Sequence, residues 1–165
     1  MDPVEERLAL PFYLKMMGTN AAHNAESVWD EIVDVGRGAT LAEVQQLLAP
    51  DHWRPVVMGA WLGLKFEADE VGGDLLAAME RSRGSLTAPP LAIACALVLG
   101  RDAGLTLANY AERDDARDGS AALVAAVHEL FCGTLRPVPI ADRDREAVAA
   151  MLDVGKRLRS ALAAQ

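Results

Sequence analysis

Three carboxylates, Glu26, Asp30 and Asp34, recur every fourth residue in "NAAHNAESVWDEIVDVG", with Glu31 beside them and His23 ahead of them. Residues four apart share one face of an α-helix, so this spacing lines the acids up in a row. Such a row with an imidazole nearby can do one of two things: bind a hard cation, or present negative charge to a basic partner. Carboxylate-bridged helical metal sites need Glu-x-x-His pairs on further helices, and the chain has none. Glu26, Asp30, Glu31 and Asp34 therefore read as a partner-facing or solvated acidic face, and no metal is expected.

A second set sits in "DHWRPVVMGAWLGLKF". Val57, Ala60, Trp61 and Leu64 follow the i, i+3, i+4, i+7 rule of a buried helical stripe, so residues 56–64 read as core. His52, Trp53 and Arg54 precede them at the helix entry. Arg54 can stack on an aromatic ring or grip a carboxylate from another helix. With Tyr13 from "PFYLKMMG", these three are the residues for a ligand pocket between helices. Elsewhere, "EADEVGGD" lacks the alternate-position acids of a calcium loop and reads as an acidic turn. His128 lies in an apolar helix, where a packed, hydrogen-bonded histidine is the ordinary outcome. The chain has no G-x-S-x-G elbow, phosphate loop, dinucleotide fingerprint or H-E-x-x-H pair, so no catalytic residue and no cofactor is assigned.

Helices must position these groups. The chain has 165 residues, 52% hydrophobic and only 5% aromatic, with Ala and Leu dominant. That mix suits helices better than strands. The length fits a single domain over residues 1–165. Cys95 and Cys132 both lie in apolar runs without metal-ligand spacing and read as buried free thiols. The formal charge is −8, distributed as −5 over residues 1–50, −2 over 51–100 and −1 over 101–165. Such a surface repels a phosphate backbone, so direct nucleic-acid binding is not expected. The acidic start "MDPVEERLAL", with no apolar window judged long enough to span a bilayer, predicts a cytoplasmic protein.

Along the chain, Asp2 and Pro3 open a short helix that Pro11 interrupts. A second helix carries the acidic row and stops at Gly36. Thr40 and Glu43 form a capping box ahead of "LAEVQQLL". Helices follow over 56–66, from Asp74 to Arg81, in "APPLAIACALVLG", in "AGLTLANYAER" and in "SAALVAAVHELFCG". "RDDARDG" reads as a charged loop and "TLRPVPIA" as an extended connector. A long last helix, about 141–163, has Val148, Met151, Leu152, Gly155, Leu158 and Leu162 on one side, a possible seam for a homodimer. The expected fold is all-α with about eight or nine helices, either an irregular bundle or a short HEAT-like solenoid. The solenoid alternative comes from the likeness of residues 59–64 to 94–99 at an offset of 35, each followed by a leucine-bearing helix.

The segments "DHWRPVVMGAWLGL", "GGDLLAAMERS", "PLAIACALVLGRDAGLTLANYAER" and "DGSAALVAAVHEL" resemble an uncharacterised family of small actinobacterial helical proteins. That family carries a W-R-x-x-x-x-G/A-A-W segment, a leucine-rich helix pair and an apolar final helix, and the resemblance covers about residues 8–131. It implies a helical fold and carries no activity. The leading expectation is a non-enzymatic protein-interaction module, an acidic immunity- or antitoxin-type inhibitor being one instance. The alternative is a small-molecule binder or enzyme with its pocket near His52, Trp53 and Arg54.

Overall fold

The computed structural model describes residues 2–50, 52–113, 120–135 and 138–164. Among them there is no strand, and nine α-helices have six residues or more. Helix α1 (Pro3–Leu8) starts as its sequence dictates: Asp2 accepts from the Val4 amide at 2.8 Å, and Pro3 occupies the first turn. One-turn pieces α2 (Tyr13–Met16) and α3 (Ala21–Asn24) follow, then a 3₁₀ turn (Ala25–Val28) and α4 (Trp29–Gly38). The rest are α5 (Leu41–Leu48), α6 (Trp53–Gly63), α7 (Ala68–Arg81), α8 (Ala88–Leu99), α9 (Gly104–Glu112), α10 (Ser120–Cys132) and α11 (Asp142–Ala163). Part of the expected charged loop, residues 114–119, lies outside the described residues, as do Arg136 and Pro137 of the expected connector.

From α5 to α10 the helices form three tight pairs, α5–α6, α7–α8 and α9–α10. Within this set α5 packs on α7 and α7 on α9, while α6 packs on α8 and α8 on α10, giving two rows. The pairing is one helix out of phase with the unit suggested by the 35-residue offset, which coupled each apolar run to the helix after it. The second row is the apolar one because it is enclosed: every residue of α8 from Ala88 to Ala96 is buried. Trp61, in the last turn of α6, is fully buried and donates its indole N–H to the Met16 carbonyl at 2.9 Å.

Helix α11 crosses the second row at α8 and α10 and reaches α3 and α4. All six residues of its apolar side are buried within the chain. The face expected as a dimer seam is therefore occupied by the protein's own core. The run Ala88–Glu112 is long and apolar enough to cross a bilayer, contrary to the expectation that none is. It is also broken at Gly100, where φ is +58°, and 56% of its most apolar window is buried in the fold.

Three local expectations are corrected. The helix carrying the acidic row is not continuous: α3 ends at Asn24, a 3₁₀ turn follows, and the backbone leaves helical geometry at Val28 (φ −128°) before α4 begins. The Ser27 hydroxyl donates to the Asn24 carbonyl at 2.7 Å, a local bond that competes with the helical ladder. Gly36 does not end α4, which runs on to Gly38; a Cβ at Gly36 would stand 2.5 Å from Leu162 Cδ2, so its role is to seat α11. Finally, "EADEVGGD" is the first half of α7 rather than a turn. The Glu67 amide donates to the Glu70 carboxylate at 3.0 Å, and Gly72 leaves room for Leu99 of α8.

Candidate functional site

The acidic face begins at the entry to α4. Val28 occupies the cap position and offers no side-chain acceptor, and Asp30 and Glu31 in the first turn complement the positive end of the helix dipole. Asp34 follows one turn later. Asp30, Glu31 and Asp34 are all exposed, and no described residue forms an ion pair with them.

Glu26 is set apart from these three. It sits on the 3₁₀ turn and holds Arg157 of α11, Oε1 to Nη1 at 2.6 Å. Arg157 also lies over the Trp29 ring at 4.6 Å, with Asp153 3.9 Å away. The hydrogen bond from Glu26, and behind it the charges of Glu26 and Asp153, raise the Arg157 pKa above the ordinary arginine value. Two side-chain-to-carbonyl links fix the end of α4 against its neighbours. Lys65 donates to the Arg37 and Ala39 carbonyls at 2.6 and 2.7 Å, and Arg37 donates to the Ala161 carbonyl at 3.0 Å. His23 is exposed, and among the described residues no three His, Cys, Asp or Glu side chains are placed to hold a metal ion.

The second set is brought together in part. Tyr13 and Trp53 meet edge to face with ring centroids 5.3 Å apart. The Arg54 guanidinium lies 5.6 Å from the Tyr13 ring and 5.3 Å from the Trp53 ring, the stacking alternative raised by the sequence. His52 turns away to the α1 side, where Nε2 lies 3.7 Å from the Glu5 carboxylate.

Trp53 is also one wall of a cleft of about 80 Å³ that Tyr13, His52 and Arg54 do not line. Its other walls are Val56, Arg81, Ser82, Arg83 and Thr87, with Pro50 and Ala78. Ser82 Oγ and Thr87 Oγ1 are 2.6 Å apart and both residues are buried. Arg81 donates to the Leu48 carbonyl at 2.8 Å, and Arg83 to the Glu80 and Ser82 carbonyls at 3.1 and 2.9 Å. Arg81 also borders a neighbouring hollow of about 150 Å³ beside Asp74.

The remaining candidates are structural. His128 is buried, with Nδ1 2.7 Å from the Gly133 carbonyl, as expected for a packed histidine. Its neighbour Glu129 is bound by Arg145 at 2.9 Å, and that bond lowers the carboxyl's pKa. Cys95 is fully buried, and burial pushes its thiol up to about 12. Cys132 is only half-buried, its Sγ 3.8 Å from the Arg101 carbonyl, which corrects the expectation of two buried thiols.

Sequence reasoning missed Arg157 and Asp153 on one side of the molecule and Arg81, Arg83, Ser82 and Thr87 on the other. Only "RSRGSLT", basic and hydroxyl-bearing between two helices, hinted at the second group. No family model, curated protein or solved structure matches this chain, so the resemblance drawn over residues 8–131 rests on its sequence motifs alone.

Proposed function

We propose that this chain is a non-enzymatic protein-interaction module whose α4 face, Asp30, Glu31 and Asp34 with Glu26 at its edge, engages a basic partner protein. The observation that supports this reading is the contrast among the acids. Asp30, Glu31 and Asp34 are exposed without an ion pair among the described residues, whereas Glu26, Glu43 and Glu129 each hold an arginine. Like charges gathered on one helical face steer an oppositely charged partner and exclude others. An acidic inhibitor of the immunity or antitoxin type, neutralising a cationic protein in the cytoplasm, is the instance that fits this chemistry. On the same reading, the paired helices α5 to α10 are a short HEAT-like stack, an architecture that presents broad surfaces to other proteins.

The test is partner capture with three proteins: the wild type, the D30K/E31K/D34K variant, and a control with the exposed acids Asp102, Glu112 and Glu146 reversed. A basic protein held by the wild type and the control, lost from the variant and released by added salt, is the expected result. Equal capture by all three would remove the acidic face from the binding surface.

A further inference from the structure

The cleft behind Trp53 is lined by hydrogen-bond donors facing a small volume, and it lies on a part of the molecule that the acidic face does not touch. We infer that this cleft is a binding site for a single oxyanion, a phosphate or carboxylate group, held by Arg81, Arg83 and the Ser82–Thr87 hydroxyl pair with Trp53 as its wall.

Donor arithmetic leads to this. In the Ser82–Thr87 pair, one hydroxyl donates to the other across 2.6 Å. The accepting hydroxyl still has its own proton, and no described residue accepts it. Ser82 is 7% exposed and Thr87 4%, and both line the cleft. A buried donor without an acceptor is costly to leave so, and an oxygen ligand in the cleft would satisfy it. The two arginines lining the same space can only donate, and the described residues of its walls include no carboxylate, although both arginines have other partners as well.

Rigidity supports the same reading. Arg81 is tied to the end of α5 through the Leu48 carbonyl, and Arg83 to the end of α7 through Glu80 and Ser82. Both have further contacts besides these, so an anion would meet anchored guanidiniums instead of ordering loose ones. The volume of about 80 Å³ suits a single small group such as a phosphate or carboxylate. Val56 and Ala78, apolar and on the cleft wall, keep the site partly dry and so strengthen its charge-assisted bonds.

Titration followed by the Trp53 indole N–H resonance, assigned with Trp53→Phe, tests the inference. Sodium phosphate, sodium acetate and phenyl phosphate are added separately, each against sodium chloride at matched ionic strength. A saturable shift with phosphate but not acetate assigns the site to phosphate, one with acetate assigns it to carboxylates, and a phenyl phosphate response equal to that of free phosphate extends it to phosphoesters. Arg83→Gln and the near-isosteric Thr87→Val should each weaken binding about tenfold, the loss of one bond to a charged group. If Arg83→Gln does not fold, Thr87→Val carries the test alone. No saturable shift with any of the three salts beyond that of chloride, or unchanged binding in a folded Thr87→Val protein, would overturn the assignment.

Discussion

The two polar regions of this molecule are completed in different ways. The exposed acids of α4 come from five consecutive residues, Asp30 to Asp34, and only their support is distant. The donors around Trp53 also come from one stretch, Arg81 to Thr87 at the junction of α7 and α8, but the cleft they line is closed by Trp53 and Val56 of α6, some thirty residues earlier. The acidic face is a local property presented by a long-range brace. The Trp53 cleft is itself a long-range construction. A helix can display charge by its own periodicity, but a cleft needs a wall from a second pair of helices to close over its donors.

The largest effect that would separate the two regions lies in α6. Trp61→Ala removes a fully buried side chain and its bond to Met16, and should cost about 3–5 kcal/mol. Trp53→Ala, eight residues earlier in the same helix at a half-buried site, should cost far less, and chemical denaturation of the pair measures the difference. Comparable losses would mean that the entry of α6 is as structural as its body. Leu158→Ala, in α11, should cost about 2–5 kcal/mol. Because Leu158 belongs to the brace behind α4, amide exchange should rise in α4 more than around Ser82 and Thr87. A uniform rise would show that one brace serves both regions.

A smaller effect is set by pH. The Thr40 backbone N–H that Glu43 accepts holds its carboxyl below the ordinary glutamate value; burial opposes this, and Arg7 adds to it. A lowered folded-state pKa contributes stability that is present above the ordinary value and lost as pH falls through the folded one. Glu43→Gln should therefore lose this contribution near neutrality, and its stability should fall less than the wild type's through that window, so that the two converge in acid. The smallest effect belongs to the Glu26–Arg157 pair, which is largely solvent-exposed. Glu26→Gln, Arg157→Gln and the double variant should lose nearly the same small stability, and salt should abolish it. A coupling that survives high salt would make Glu26 a structural acid and remove it from the partner face.

The acidic face was legible because periodicity is a local signal: Asp30, Glu31 and Asp34 are exposed as their spacing required. Its edge was not, since the same periodicity carried the helix through Ser27, whose hydroxyl bonds to Asn24 and breaks the ladder. The all-α fold, the Thr40–Glu43 box and the buried side of α11 were readable for the same reason. Glycines misled wherever packing decided their role. Gly36 and Gly72 read as stops, yet each is mid-helix and admits a leucine from a distant segment. Tyr13, Trp53 and Arg54 could be named as a group from residue type, but the cleft beside them could not. Arg81, Arg83 and Thr87 reach Trp53 only through the packing of α6 against α8 and α7, and no spacing encodes that.

The bond from Arg37 to the Ala161 carbonyl joins residues 124 apart in sequence. During synthesis, α4 therefore leaves the ribosome long before the helix that braces it, by roughly 6–25 s at ordinary elongation rates. A nascent chain carries the acids of α4 from the start but lacks the clamp of Arg157 and the seat of Leu162 until α11 emerges. Partner recognition through α4 would then be timed as well as shaped, since the face becomes rigid only once the last helix has been made.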